Sequence, residues 1–212
     1  MSPKIEQFEK YSDAYDRWFE ENPDFYEAEL ETIRQMLPEN FAEGTEVGVG
    51  SGMFAEPLGI TVGVEPSDTM AAKAISRGID VYRGVAEVLP FADNRFDFVL
   101  MVTTICFVDD ILKSFMEAFR VLKPSGFLIV GFVDKQSTLG KEYVRKKNQS
   151  KFYGNADFFS AEEVVKYLET AGFRNLKIKQ VLIPGELPEV IQDGFGSGAF
   201  VVIKGQKVTK TP

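Results

Sequence analysis

Between residues 1 and 37 the apolar and aromatic positions Phe8, Tyr11, Tyr15, Trp18, Phe19, Phe25, Tyr26, Leu30, Ile33 and Leu37 recur mostly at intervals of three, four or seven. That is the period of one helical face, and Asn22-Pro23 interrupts it, so the pattern predicts two amphipathic helices. From Gly44 the pattern changes. Val47 and Val49 sit among small residues and lead into Gly48, Gly50 and Gly52, a buried strand breaking into a tight turn. Met53-Phe54-Ala55 then suggests a helix opening, which Pro57 keeps short or irregular. A second short apolar run ends at Glu65. Asp68 to Arg77 reads as a helix stopped by Gly78, Ile79 to Tyr82 as a third strand, Gly84 to Phe91 as a turn, and Phe96 to Val102 as an apolar strand interrupted by Asp97.

Ile111, Leu112, Phe115, Phe119 and Leu122 share one face of a helix over 111–122. Lys123-Pro124-Ser125-Gly126 terminates it, proline barring continuation and glycine supplying the reversal. Phe127 to Val133 is the next strand. Ser160 and Glu163 have capping-box spacing at the start of a helix over 161–170, stopped at Ala171-Gly172-Phe173. Leu176 to Ile183 and Ala199 to Lys204 read as an antiparallel pair of strands at the sheet edge. This alternation implies right-handed crossovers and an α/β fold with a doubly wound, mostly parallel sheet, whose ligands bind at the carboxyl ends of its strands. Only the last few polar residues read as a frayed tail, and there is no internal repeat.

The segment 134–159 departs from the alternation. It carries Lys135, Lys141, Arg145, Lys146, Lys147 and Lys151 beside Tyr143, Phe152, Tyr153, Phe158 and Phe159. Two readings stay open: a lid whose cations attract an anionic substrate, or a solvated helix face.

A chain of 212 residues, 44% hydrophobic and 26% charged, suits one domain with a real core. Its 19 phenylalanines and 7 tyrosines are enough to line an apolar pocket as well as fill an interior. A net charge of −8 argues against nucleic acid as a partner, because such binding relies on clustered cations that release counterions. One cysteine, Cys106, allows no internal disulfide and suits a reducing compartment. With no apolar leader or membrane-length run, the chain reads as cytoplasmic. The absence of histidine excludes Ser-His-Asp and Cys-His machinery, imidazole bases and histidine-ligated zinc; no metal site is expected.

The glycine turn and the two acids Glu46 and Glu65, on neighbouring strands, together point to a nucleoside site. Glycine lets a ligand approach the main chain, and an acid at the next strand end can meet ribose hydroxyls. Glu65 lies a little closer to the glycines than is usual, a gap that the short intervening helix would account for.

These residues resemble class I S-adenosylmethionine-dependent methyltransferases, in the small-molecule branch similar to the ubiquinone and menaquinone biosynthesis enzymes. Glu46-Val-Gly-Val-Gly-Ser-Gly52 is similar to their first motif, and Gly63-Val-Glu-Pro-Ser67 to the ribose-binding strand end. Ala86-Glu-Val-Leu-Pro-Phe91 with Phe96-Asp-Phe-Val99, and Arg120-Val-Leu-Lys-Pro-Ser-Gly126, resemble the later motifs. The resemblance implies a Rossmann-like methyltransferase fold with a seven-stranded sheet and an antiparallel last strand. The expected domain is single, 1–212, with a helical cap over about 1–37 and a lid-like insertion over about 134–159. S-adenosyl-L-methionine is the implied cofactor. By resemblance, Gly48 and Gly50 give its methionine part room and Glu46 interacts near the ammonium. Glu65, followed by Pro66, holds the ribose hydroxyls, Ala86 and Glu87 flank the adenine, Thr103 faces the sulfonium, and Tyr15 closes the site. Val85 stands where the family commonly has an acid.

The expected function is methyl transfer by in-line displacement to a small, partly apolar or aromatic acceptor. Positioning and a dry site can supply most of the rate. Tyr143, Asp134 and Glu142 are candidates for a base, none assigned. Two alternatives remain. One is an NAD(P)-dependent oxidoreductase, because Gly50 to Ala55 fits G-x-G-x-x-A and Tyr143 to Lys147 fits Tyr-x-x-x-Lys; the other is a non-catalytic nucleoside-binding regulatory domain.

Overall fold

The computed structural model describes residues 4–208. Helices α1 (Glu6–Glu21) and α2 (Pro23–Arg34) lead into a core of strands and helices. These are β1 (Gly44–Val47), β2 (Val62–Glu65), α3 (Asp68–Ser76), β3 (Asp80–Arg83), β4 (Phe96–Val102), α4 (Ile111–Val121) and β5 (Leu122–Val133). Then follow α5 (Thr138–Lys146), α6 (Ala161–Thr170), β6 (Phe173–Val181), β7 (Gln192–Asp193) and β8 (Phe200–Lys207). The predicted polar tail falls outside the described residues.

The strands form one sheet in the order β3-β2-β1-β4-β5-β8-β6-β7. The first five run parallel, and β8 is antiparallel to both its neighbours. The doubly wound sheet and its reversed last strand therefore match the expectation. An eighth strand, two residues long, pairs with the outer edge of β6, and β8 lies between β5 and β6 instead of at the rim.

Side chains of β4 alternate between two apolar layers: Phe96, Val99 and Met101 pack toward α4 and α6, and Phe98, Leu100 and Val102 toward α2 and α3. Helices cover both faces, which is what a nearly continuous apolar strand requires.

Three local readings change. No helix follows the glycine turn; residues 51–59 make successive turns, with Glu56 N–H donating to the Gly52 carbonyl at 3.0 Å, because Pro57 stops propagation. Helix α4 ends at Val121, before the Lys-Pro-Ser-Gly segment, and the chain passes directly into β5. That segment is a bulge in β5, and Ser125, not Gly126, takes the left-handed angle, with φ of 66°. Gly126 is needed for space, since a Cβ there would stand 2.9 Å from the Asp97 carbonyl.

Asp97 explains its own place in an apolar strand. Its Oδ2 accepts the N–H groups of Ala42 and Glu43, each at 2.8 Å, and its Oδ1 accepts from Lys123 Nζ at 2.8 Å, tying the entry of β1 to β4 and β5. Arg120 does the same for the turn before β4: it donates to the carbonyls of Leu89 and Phe91 and pairs with Glu117 and Asp93. The Asp97→Ala variant should lose about 2 kcal/mol of stability, seen as a lower urea midpoint at unchanged slope.

Candidate active site

The carboxyl ends of β1, β2 and β4 meet at the glycine turn, and their backbone groups build it. Gly48 and Val49 donate to the Val64 carbonyl at 2.8 and 3.1 Å. Gly48, Gly50 and Gly52 all have positive φ, at 72°, 57° and 88°. A Cβ on Gly48 would sit 2.5 Å from the Thr104 side chain, whose hydroxyl donates toward the carbonyls of Val47 and Val102. Gly50 faces differently: its Cβ position looks onto Tyr15 Oη and Met70 at 3.8 and 3.5 Å.

Glu65 clasps this turn. Its Oε2 accepts the Gly50 N–H at 2.8 Å and its Oε1 the Ser67 N–H at 2.9 Å, while the Ser67 hydroxyl caps α3. Burial pushes its carboxyl up to about 6, against the pull of the two amides. Across β4, Thr103 takes a left-handed φ of 50° and donates its N–H to the Gly131 carbonyl at 2.8 Å, a strained residue at the strand end.

These strand ends open into a cavity of about 700 Å³. Tyr15, Gly48, Gly50, Glu65, Pro66, Ala86, Glu87 and Thr103 line it, and so does Val85. Glu46 does not. It is buried behind the wall with Oε2 unpartnered; burial and the neighbouring Glu65 charge hold its carboxyl well above the usual range, partly offset by the Ala55 amide. Glu87 Oε1 accepts the N–H groups of Asp109 and Asp110, so that oxygen is committed to the start of α4.

The far side of the cavity belongs to the N-terminal helices and to 134–159. Lys73 on α3 pairs with Asp13 and Asp16 and fastens α1 over the sheet, and Tyr26 donates to the Met53 carbonyl. Phe152 wedges among Phe8, Tyr11 and Tyr15, with centroids 5.9 to 6.3 Å apart. Tyr153 stacks on Phe107 and Tyr143.

Of the three candidate bases only Tyr143 reaches the cavity. Asp134 is buried in a turn, accepting from Gln136 N–H, and Glu142 pairs with Lys146. None of the basic residues of 134–159 lines the cavity; Lys135 pairs with Glu163, and Lys147 lies near Asp157 at 3.9 Å. No cation of that segment therefore touches the cavity, and Tyr143 and Lys147 do not share the site that a dehydrogenase pair would need.

Sequence reasoning missed Glu29. It is 6% exposed, lines the cavity, and makes no side-chain hydrogen bond among the described residues. Burial pushes its carboxyl from the usual 4.5 up to about 8. The signal was available: Glu29 falls three residues after Tyr26 and four before Ile33, on the apolar stripe of α2.

Between about pH 4.5 and about 8 the folded chain holds a Glu29 proton that the unfolded chain has lost, so stability declines across that window as pH rises. The Glu29→Gln variant should lose less melting temperature than the parent between pH 5 and pH 8.5 in a thermal scan. Glu46 and Glu65, also shifted upward, leave a residual decline in both proteins.

The methyltransferase-domain family matches residues 45–130, from β1 through most of β5. A crystal structure from Thermotoga maritima, described as an S-adenosylmethionine-dependent methyltransferase with histamine N-methylation named as a possible activity, is 49% identical. It superposes with a TM-score of 0.91 over 96% of this chain and 99% of that one. An uncharacterised protein of Methanocaldococcus jannaschii is 42% identical over 95% of this chain and 98% of its own length. Demethylmenaquinone methyltransferase of Staphylococcus aureus is 28% identical over 58% of this chain and 61% of its own. With the glycine turn, its acidic clasp and the cavity above them, these likenesses establish that the chain belongs to the S-adenosylmethionine-dependent methyltransferases, enzymes whose cofactor is S-adenosyl-L-methionine.

Proposed function

We propose that the protein methylates a small, partly apolar acceptor enclosed between a helical cap over about residues 1–37 and a lid over about 134–159. The observation that carries this is one continuous cavity whose wall includes both the glycine turn and Trp18, Phe25, Phe107, Tyr143 and Tyr153. About 700 Å³ is of the size of small-molecule and cofactor sites, and the aromatic part of its lining suits a small, partly apolar acceptor.

The wall suits the cofactor. Gly50 offers main chain where a side chain would intrude, and Glu65 stands at the strand end where ribose hydroxyls would lie. Glu46 lies behind the turn with an orphaned oxygen, and an ammonium group bound nearby would favour its ionised form against the burial that opposes it. Ala86 gives a small apolar floor for a flat base, with Pro66 and Val85 in the same wall and Glu87, whose Oε2 has no hydrogen-bond partner among the described residues, beside them. Bound S-adenosylmethionine supplies a methyl group already activated on a sulfonium. The chain's own task is then to orient the acceptor and exclude water. Thr103, held by its bond to Gly131, keeps β4 close to the reacting centre, while Tyr15 and Phe152 close the roof. The acidic, histidine-free, single-cysteine chain supports a cytoplasmic setting.

Calorimetric titration with S-adenosylmethionine, S-adenosylhomocysteine, NADH and NADPH tests this reading. The two sulfur nucleosides should bind at micromolar concentration and the nicotinamides should not, and Glu65→Ala should weaken binding about ten-fold or more. Binding only of a nicotinamide cofactor would overturn the proposal. Removing the wedge between cap and lid with Phe152→Ala should speed S-adenosylhomocysteine release about three- to ten-fold in stopped-flow.

A further inference from the structure

Glu29 has no structural duty that accounts for it. A carboxyl buried to this degree ordinarily has hydrogen-bonded partners, because desolvation without compensation is costly. Here neither oxygen finds one among the described residues, and the side chain contributes to the cavity wall. The titratable groups facing it are phenols: Tyr15 from α1, Tyr143 from α5, and Tyr153 from the turn that follows, each of whose ionisation is opposed by the Glu29 charge. No cation answers it from the strands under α2, since Lys179 pairs with Asp193 and Lys204 sits over the Phe127 ring. Of the cavity's two lysines, Lys4 is bound to Asp157, and Lys113 lies on α4 in the turn capped by Asp110. Trp18 and Phe25 also line the cavity, Phe25 at its exposed rim.

We infer that Glu29 anchors the acceptor, and that the acceptor is a compact amine with an apolar body whose ammonium group pairs with this carboxylate among the surrounding aromatic rings. The inference rests on the methyl transfer proposed above and names the acceptor class for that same cavity. A buried acid with aromatic faces about it favours an organic cation through charge pairing and cation–π attraction. It penalises a phenolate or carboxylate by like-charge repulsion. Glu29 also has a second use. A protonated nitrogen has no free lone pair; passing one N–H proton to the Glu29 carboxylate yields a neutral amine and a neutral carboxylic acid, with charge conserved. Because the empty site holds Glu29 protonated at neutral pH, capture of an ammonium ion must expel that proton to solvent, so amine binding below about pH 8 releases about one proton and tightens as pH rises toward that value.

The test is calorimetry at pH 7 in phosphate and in Tris, on protein saturated with S-adenosylhomocysteine, with 2-phenylethylamine and its neutral counterpart 2-phenylethanol as probes. The amine should bind at least about ten-fold more tightly than the alcohol, with an enthalpy difference between buffers that reports about one released proton. Glu29→Gln should lose at least about ten-fold in amine affinity and the proton release, yet keep parental affinity for the alcohol and for S-adenosylhomocysteine. Equal binding of amine and alcohol, no binding of the amine, or an unaltered amine affinity in Glu29→Gln would each overturn the inference. The wild-type arms decide it even if the variant does not fold. Retained S-adenosylhomocysteine binding in those cases would leave the methyltransferase reading standing, whereas its absence in the wild type would remove both.

Discussion

The Glu65 carboxylate, held between the Gly50 and Ser67 amides, is the contact on which the site depends. Left-handed angles at Gly48 and Gly50 are permitted by the missing side chains, but permission does not choose a conformation. The choice comes from bonding: Val64 fixes the start of the turn through its carbonyl, and one residue later Glu65 fixes the middle through its side chain. The same carboxylate orients Ser67, which caps α3, and α3 carries Lys73, the residue that fastens the first helix. A single strand end thus sets the floor of the cavity and the position of its roof.

The roof is made of contacts between segments far apart in the chain. Phe8, Tyr11 and Tyr15 meet Phe152 edge-on or tilted, at separations where aromatic pairs attract beyond their buried area. None of these rings belongs to the sheet. Tyr15 also packs edge-on against the buried Phe19, so the roof is continuous with the core. Where such a roof excludes water, buried charges interact more strongly.

Two buried acids at the cavity have no cationic side-chain partner among the described residues, and burial holds both carboxyls above their ordinary range. Glu46 lies behind its wall with an unpartnered oxygen, and Glu29 lines it, with no side-chain hydrogen bond among the described residues. Burying carboxyl groups this way costs stability, and a fold retains such costs chiefly where a ligand repays them. A cofactor carrying a sulfonium and an ammonium, together with an amine acceptor, would supply the missing positive charge.

Much of the architecture was legible from spacing alone. The bounds of β4, the helix read over 111–122 and found over 111–121, and the capping box at Ser160 followed from local period and capping chemistry, which depend on near neighbours in sequence. The glycine turn and its two acids were equally visible. What the sequence did not determine was direction and company. The lysines of 134–159 could be read as a lid's cations or as a solvated face, and Lys135 and Lys147 turn toward carboxylates; Glu87 was expected beside the adenine, and one of its oxygens serves the amides of Asp109 and Asp110. Glu29 looked like any helix acid until the cap folded onto the strand ends and took it out of water. Helix and strand periods state which residues share a face; only the packing of remote segments decides what that face meets, and burial, charge pairing and the shape of the cavity all depend on that meeting.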